Sequence, residues 1–221
     1  MLQLYRNSHY IDKFTIYGER HSGTNFLESC IKQRFGLELT YFFGFKHFFG
    51  FTKPETISYH PIARSTLFIG IVRNPYDWLC AMSLAPHHAP REIRWNFNKL
   101  LTSEWYSLDN KRREILHDRN YKTKERYKNL FELRKEKCYY LNNIMPVIAK
   151  NYVLLSYDTF LKNHHNYLNI IGHRFNLINQ GQAPEPFQKN PAEFNHQQKE
   201  LIDSNIDWSI EEALGFFKRA G

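Results

Sequence analysis

Apolar positions along the chain predict an alternation of buried strands with helices. Residues 14–17, 66–72 and 152–157 form short runs rich in β-branched or aromatic side chains, which is typical of buried strands, and residues 37–43 form a fourth candidate. Strands that alternate with helices favour a parallel sheet joined by right-handed crossovers. We therefore expect an α/β fold with a central parallel sheet.

Apolar residues at helical spacing predict helices between and after these strands. The first helix starts near Gly23 and is followed by Gly36, a residue type that often ends a helix. The other predicted helices cover residues 77–83, 93–105, 130–148 and 160–175, with a C-terminal helix from about Ala192 and a short final segment at 210–217. The polar, aromatic and basic stretch around 86–127 is interpreted as a mostly helical insert in a single domain of residues 1–221.

The turn between the first strand and the first helix has the spacing of a phosphate-binding loop. Gly18 and Gly23 are separated by four residues, as in nucleotide-binding loops, but Thr24 and Asn25 replace the lysine and hydroxyl residue that usually follow. Backbone N–H groups and the positive end of a helix favour an anion at such a turn. The sequence predicts an anion site without a metal, although an ordinary strand–turn–helix corner would use the same glycines.

A second polar segment follows the strongest predicted strand. Arg73 and Asn74 come directly after residues 66–72. Because ligands of parallel sheets bind at the carboxyl ends of the strands, we expect both polar segments to face one site.

Composition and charge narrow the class of protein. Hydrophobic residues make up 42% of the 221 residues, which is enough for a sizeable core and argues against a disordered chain. Lysine and arginine number 30 against 22 acidic residues, a formal charge of +8 that favours a nucleotide, a nucleic acid, an acidic glycan or a membrane surface as partner. A solvated basic surface would give the same charge.

The cysteines and the apolar runs suggest a reducing compartment. Cys30, Cys80 and Cys138 are far apart and form no CxxC pair, so neither a zinc ribbon nor a disulfide framework is expected. No run approaches the roughly 20 apolar residues of a membrane span, and no apolar segment of signal-peptide type occurs near Met1. These observations predict a cytoplasmic protein without stable membrane insertion.

Two segments resemble the donor-binding segments of sulfotransferases that use 3′-phosphoadenosine 5′-phosphosulfate (PAPS). These two segments are "RHSGTNFL" and "FIGIVRNPYDWL". Further along the chain, two more segments are similar to later landmarks of one branch of that family: "LFELRKEKCYYLNNI" and "YVLLSYDTFLKN". The ordered set spans roughly residues 14–161. The resemblance implies a three-layer α/β sandwich like that of P-loop nucleotide kinases. It also implies sulfuryl transfer from PAPS, without a metal, to a hydroxyl or amine of a small-molecule or glycan acceptor, leaving adenosine 3′,5′-bisphosphate (PAP). The sequence does not identify this acceptor, and a carbohydrate, a lipid headgroup, a small metabolite and a protein tyrosine stay open.

The resemblance also assigns donor-binding residues. The 5′-phosphosulfate would be held by the first loop, through Gly18, Ser22, Gly23, Thr24 and Asn25. The resemblance assigns the 3′-phosphate to Arg73, with Asn74 as a candidate helper.

Two positions depart from the family pattern. His21 stands where a lysine or arginine usually shields the bridging oxygen, so Arg20 is included with it as a donor-binding and catalytic candidate. Ala81 stands where a serine is common. Ser83 lies two residues on, about 200° around a helix, so Asn74 or a later basic residue is also a candidate for 3′-phosphate binding.

The acceptor's proton requires a base near sulfur, and three residues are candidates. His47 is favoured over Glu28 and His60 because it follows the second predicted strand, at the same sheet edge as the loop. Lys46 would help to bind the donor or to stabilise charge, as the Lys-His pair of the related branch implies.

Further residues and functions stay open at this point. His87 and His88 are interpreted as the rim of an acceptor pocket or as a turn, and Arg134 and Lys137 as contacts for an acidic acceptor or the donor, or as solvated charges. Asp77 would cap the following helix or brace the arginine. The alternative functions are a small-molecule kinase using ATP and magnesium, which the missing lysine disfavours, and a nucleic-acid-binding protein using the basic middle segment.

Overall fold

The computed structural model describes residues 1–5, 10–186 and 193–219. It is an α/β structure with a central five-stranded, mostly parallel sheet, which confirms the predicted fold class at this level and is consistent with three layers. Contacts group the chain into two compact units, Met1–Arg73 with Leu141–Lys189 and Asn74–Tyr140 with Asn190–Gly221. Two compact units can belong to one domain or to two. The single domain of residues 1–221 therefore stays a prediction.

The sheet lies in the first unit. Its strands are β1 (Leu2–Tyr5), β2 (Lys13–Tyr17), β3 (Glu38–Leu39), β4 (Thr66–Val72) and β5 (Tyr152–Ser156), in the order β1-β5-β4-β2-β3. Among the strands that the structure describes, β1 alone pairs antiparallel, with β5. The predicted strand at 37–43 is limited to two residues, because the side chain of Thr40 accepts from Phe42 N and a turn closes from Tyr41 to Gly44.

Eleven α-helices connect and follow the strands in the described residues. They are α1 (Thr24–Phe35), α2 (Pro54–Tyr59), α3 (Pro61–Arg64), α4 (Pro75–Leu84), α5 (Arg91–Arg94), α6 (Phe97–Thr102), α7 (Leu130–Tyr139), α8 (Met145–Ile148), α9 (Tyr157–Phe175), α10 (His196–Asn205) and α11 (Trp208–Ala213). A π-helical turn, Tyr140–Ile144, joins α7 to α8. The predicted start of the C-terminal helix at Ala192 lies outside the described residues. Helix α10 begins at His196, and its first turn is capped by a capping box between Asn195 and Gln198.

The core of the first unit packs helices α1 and α9 with the sheet. Phe14, Ile69 and Val153 on three neighbouring strands are fully buried, as are Leu27 of α1 and Leu168 of α9. Each such side chain contributes about 1.5–3 kcal/mol through burial. The sheet and its flanking helices therefore form a stable base for the loops at the strand ends.

The second unit contains the insert, which is less regular than the predicted helix at 93–105. Asn96 accepts from Lys99 N and caps α6, so the chain breaks between α5 and α6. A 3₁₀ turn at Leu116–Asp118 and two isolated bridges, Trp105 with Tyr127 and Leu108 with Glu114, provide regular structure in the rest of this segment.

Arg134 and Lys137 on α7 are buried structural ions. Arg134 donates two hydrogen bonds to the carboxylate of Glu211, and Lys137 pairs with Asp118, which also accepts from a serine hydroxyl. All four charged side chains are buried, and buried charges persist in folded proteins when they are paired. The alternative that these cations are solvated is therefore wrong.

The three cysteines are free thiols, as predicted from their spacing. Burial raises the pKa of Cys30 to about 12, so this thiol stays protonated at neutral pH. Within the described residues, no helix combines the length and the apolar character needed to cross a membrane.

Candidate functional site

The loop between β2 and α1 requires both of its glycines. A Cβ at Gly18 would lie 2.6 Å from the side chain of Ile71 and 2.8 Å from its carbonyl oxygen, so the backbone passes directly against β4. Gly23 has φ of 85° and precedes α1, and a Cβ there would lie 2.2 Å from the ring of Tyr157. The tight turn is therefore fixed by close approach as well as by conformation.

This loop lies where the strand order of the sheet reverses. β2 and β4 are neighbours, but the chain leaves β2 for β3 on one side and β4 for β5 on the other. In open parallel sheets a crevice forms outside the carboxyl ends of two such strands and is the usual ligand site. Both polar segments singled out in the sequence follow these two strands.

The polar side chains of the loop are largely buried. Ser22 and Thr24 are 2% and 5% exposed, whereas Asn25 is exposed at the start of α1. Arg20 is also buried and pairs with Glu19 at 3.1 Å, with its guanidinium over the ring of Phe48. The permanent charge predicted for Arg20 is therefore balanced by an adjacent carboxylate, a partner that sequence reasoning missed.

Arg73 connects the end of β4 to the loop. Its Nη1 donates to the carbonyl of His21 at 3.0 Å, and its guanidinium lies 5.5 Å from the ring centroid of Tyr157, the residue after β5. Burial raises the pKa of Tyr157, and the charge of Arg73 opposes that rise. Tyr157 was missed by sequence reasoning, although its place after a buried strand matches that of Arg73.

A hydrogen bond holds His47 against the loop and defines which of its ring nitrogens carries the hydrogen. Its Nδ1 lies 2.7 Å from the carbonyl oxygen of Gly18, and Gly18 N donates to the carbonyl of Lys46 at 3.0 Å. A carbonyl oxygen can only accept, so Nδ1 must carry the hydrogen. In the neutral ring, Nε2 then holds the lone pair, which is the arrangement needed for a general base.

Lys46, the residue before His47, forms a polar cluster with Asn25 and Glu28. Lys46 donates to the side-chain oxygen of Asn25 and lies 3.6 Å from the carboxylate of Glu28, which also pairs with Lys32 at 2.8 Å. Glu28 thus faces two ammonium groups. Its carboxylate serves to place Lys46, and this arrangement favours His47 as the base.

Other predicted site residues have local structural roles. The Nδ1 of His60 accepts from Ile62 N at 3.2 Å and caps α3, and its ring packs 4.6 Å from that of Phe42. Nδ1 of His60 thus accepts a hydrogen bond, whereas Nδ1 of His47 donates one. In neutral His60 the hydrogen is therefore on Nε2, which leaves no lone pair there to accept a proton. The structure therefore disfavours His60 as the base.

Two predicted 3′-phosphate ligands belong to the second unit. Asn74 caps α4 by accepting from Tyr76 N at 3.1 Å, and Ser83 donates to the carbonyl of Cys80 at 2.8 Å within the same helix. Both side chains thus have a local role in α4, and their predicted contact with the 3′-phosphate stays a prediction. Asp77 does not cap α4, and its carboxylate accepts from Arg219 at 2.7 Å. The alternative that Asp77 braces Arg73 stays a prediction.

His87 and His88 line a cavity of the second unit. Its volume is about 240 Å³, and its wall includes the basic residues Arg91, Arg94 and Arg112. His88 donates from Nδ1 to the carbonyl of Leu108 at 2.8 Å, so it helps to hold the turn. The turn predicted for His88 is thus present. That the cavity beside these histidines receives an acceptor stays a prediction.

The first unit therefore brings together a glycine loop, a buried arginine, a lysine and an oriented histidine at one sheet edge. No family model, curated protein or solved structure matches this chain. The chemistry available at this edge is anion binding by backbone N–H groups and cations, with proton transfer at the Nε2 of His47.

Proposed function

We propose that the protein is a PAPS-dependent sulfotransferase, which moves a sulfuryl group to a hydroxyl or amine and releases PAP. The observation that carries this proposal is the hydrogen bond between His47 Nδ1 and the Gly18 carbonyl, because it leaves the lone pair of the neutral ring on Nε2 beside the glycine loop. The resemblance of the segments around Gly23 and Arg73 to donor-binding segments supports it further.

Donor binding divides between the loop and the end of β4. In the proposal the P-loop-like turn holds the 5′-phosphosulfate with backbone N–H groups and the hydroxyls of Ser22 and Thr24. The planar guanidinium of Arg73 suits the 3′-phosphate. Loops that bind magnesium nucleotides have a lysine and then a hydroxyl residue after the second glycine, and this chain has Thr24 and Asn25 at those positions. This difference disfavours the ATP-dependent alternative.

In the proposal, the sulfuryl group passes from PAPS to the acceptor in a single step. Nε2 of His47 takes the proton of the acceptor hydroxyl or amine while the acceptor atom forms a bond to sulfur. The bond between sulfur and the bridging oxygen breaks, and PAP leaves with that electron pair. Lys46 and the backbone donors of the loop stabilise the developing charge, so the rate comes from positioning and electrostatics.

The aromatic loop beside His47 provides a surface for the acceptor. Tyr41, Phe42 and Phe45 are each at least 40% exposed, and Phe45 lies 5.6 Å from the His47 ring and stacks with Tyr41. Exposed rings next to a reactive group suit a ligand with an apolar face, such as the C–H face of a sugar. This favours the glycan among the open acceptor classes.

Thermal unfolding with nucleotides tests the proposed function. At about 100 times its dissociation constant, PAP is expected to raise Tm by roughly 5–10 °C without magnesium and with no effect of a chelator. Arg73→Gln is expected to lose most of this shift. Arg64→Gln, at the opposite end of β4 and exposed, is the matched control and should retain it.

Two outcomes would contradict the proposal. One is the absence of a shift with both PAP and PAPS at saturating concentration. The other is a shift produced by ATP only with magnesium, which would favour the kinase alternative.

A further inference from the structure

Helix α9 breaks at a point where two histidines follow each other. Asn163 has φ of −138° and ψ of 35°, outside the helical region, and divides α9 immediately before His164 and His165. The two imidazole rings lie side by side, with centroids 4.0 Å apart and planes tilted by 37°. The break therefore coincides with a close pair of potential metal ligands.

A carboxylate from the segment after α9 meets this pair. Gln180 N donates to the carbonyl of Arg34 at 2.8 Å, and Ala183 is buried in the core, so the segment is tied down close before Glu185. Glu185 Oε1 lies 3.5 Å from His165 Nε2. One donor atom from each histidine and one from Glu185 lie within 4.8 Å of one another.

His164 supplies an independent observation that points to a ligand. The residue is 5% exposed, and its Nε2 is buried with no hydrogen-bond partner among the described residues. Its neighbours include the edges of the Phe26 and Phe160 rings, at 5.7 and 6.3 Å between centroids, which offer no conventional hydrogen bond. A buried imidazole nitrogen of this kind is unusual and calls for an explanation.

We propose that His164, His165 and Glu185 bind a divalent transition-metal ion of the zinc type. Two imidazoles and one carboxylate are a donor set that zinc accepts, with water in the fourth position. His165 and Glu185 have side chains 55% and 83% exposed, so both can adjust to coordination distances. The ion fastens the segment carrying Glu185 to α9, and the site shares no residue with those assigned to sulfuryl transfer.

Metal titration of the tag-free, chelator-treated protein tests this site. Zn²⁺ in calorimetry is expected to bind with one-to-one stoichiometry, and Co²⁺ to give the absorption bands of a four-coordinate ion. Glu185→Gln and His165→Gln are expected to weaken binding by at least about tenfold. Both residues are exposed, so these variants should fold, as unchanged circular dichroism would verify.

His173→Gln, an exposed histidine on the same helix, is the control for adventitious binding and should leave the affinity unchanged. Absence of saturable binding to the wild-type protein, or equal affinity in the Glu185→Gln and His165→Gln variants, would overturn the proposed site. PAP binding is expected to be the same in all of these variants, so the result is independent of the proposed activity.

Discussion

Replacing His47 with asparagine is expected to reduce the rate of sulfuryl transfer by about 10²–10⁴-fold while leaving PAP affinity nearly unchanged. The amide nitrogen of asparagine can still donate to the Gly18 carbonyl, as Nδ1 of His47 does at 2.7 Å. The variant thus keeps the anchor of the loop but lacks Nε2. Transfer of label from PAPS to a cell extract measures the rate, and calorimetry measures the affinity.

His60→Asn is the matched control for this experiment. His60 caps α3 through a side-chain acceptor, and asparagine is also a good N-cap residue, so fold and rate should both persist. An equal loss of rate in the two variants, or full activity in His47→Asn, would remove His47 from the role of base.

Replacing Gly23 with alanine is expected to lower the free energy of unfolding by about 2–5 kcal/mol and to abolish donor binding. A left-handed conformation costs a residue with a Cβ about 1–2 kcal/mol, and overpacking adds about 1–3 kcal/mol. At Gly23 the Cβ would lie 2.2 Å from the ring of Tyr157, which is buried and cannot turn away without cost. Chemical denaturation monitored by fluorescence measures the change.

Gly215→Ala separates the two contributions. Gly215 has φ of 81°, close to the 85° of Gly23, but no atom lies within 4 Å of a Cβ built there. Its variant should therefore lose only the conformational part and keep PAP binding. If Gly23→Ala is no more destabilising than Gly215→Ala, the close approach to Tyr157 does not constrain the loop.

Several parts of the fold and the site could be predicted from local patterns. β4 is a continuous apolar run of seven buried residues, and it coincides with the predicted strand. Gly18, Gly23 and Arg73 follow buried strands, so the rule for parallel sheets brings them to one edge before any coordinates are known. The same rule predicts His47 at this edge, and its hydrogen bond to the Gly18 carbonyl defines its tautomer.

The remaining features depend on contacts that leave no local pattern. β1 is a four-residue, half-buried edge strand whose partner, β5, is about 150 positions away, so its short run gives no distinctive periodicity. Arg134 and Glu211 are 77 positions apart, and nothing near either residue indicates a buried pair. Glu19 beside Arg20 is visible in the sequence, but only burial shows that the two neutralise each other.

The most direct test of the account compares PAP with AMP, which lacks the 3′-phosphate, by calorimetry without magnesium. The account predicts that wild-type protein binds PAP about 10–100-fold more tightly than AMP, as a charge-assisted contact of Arg73 would provide, and that Arg73→Gln removes this difference while AMP affinity changes little. Equal affinities for PAP and AMP in the wild-type protein, or a difference that survives in Arg73→Gln, would contradict it.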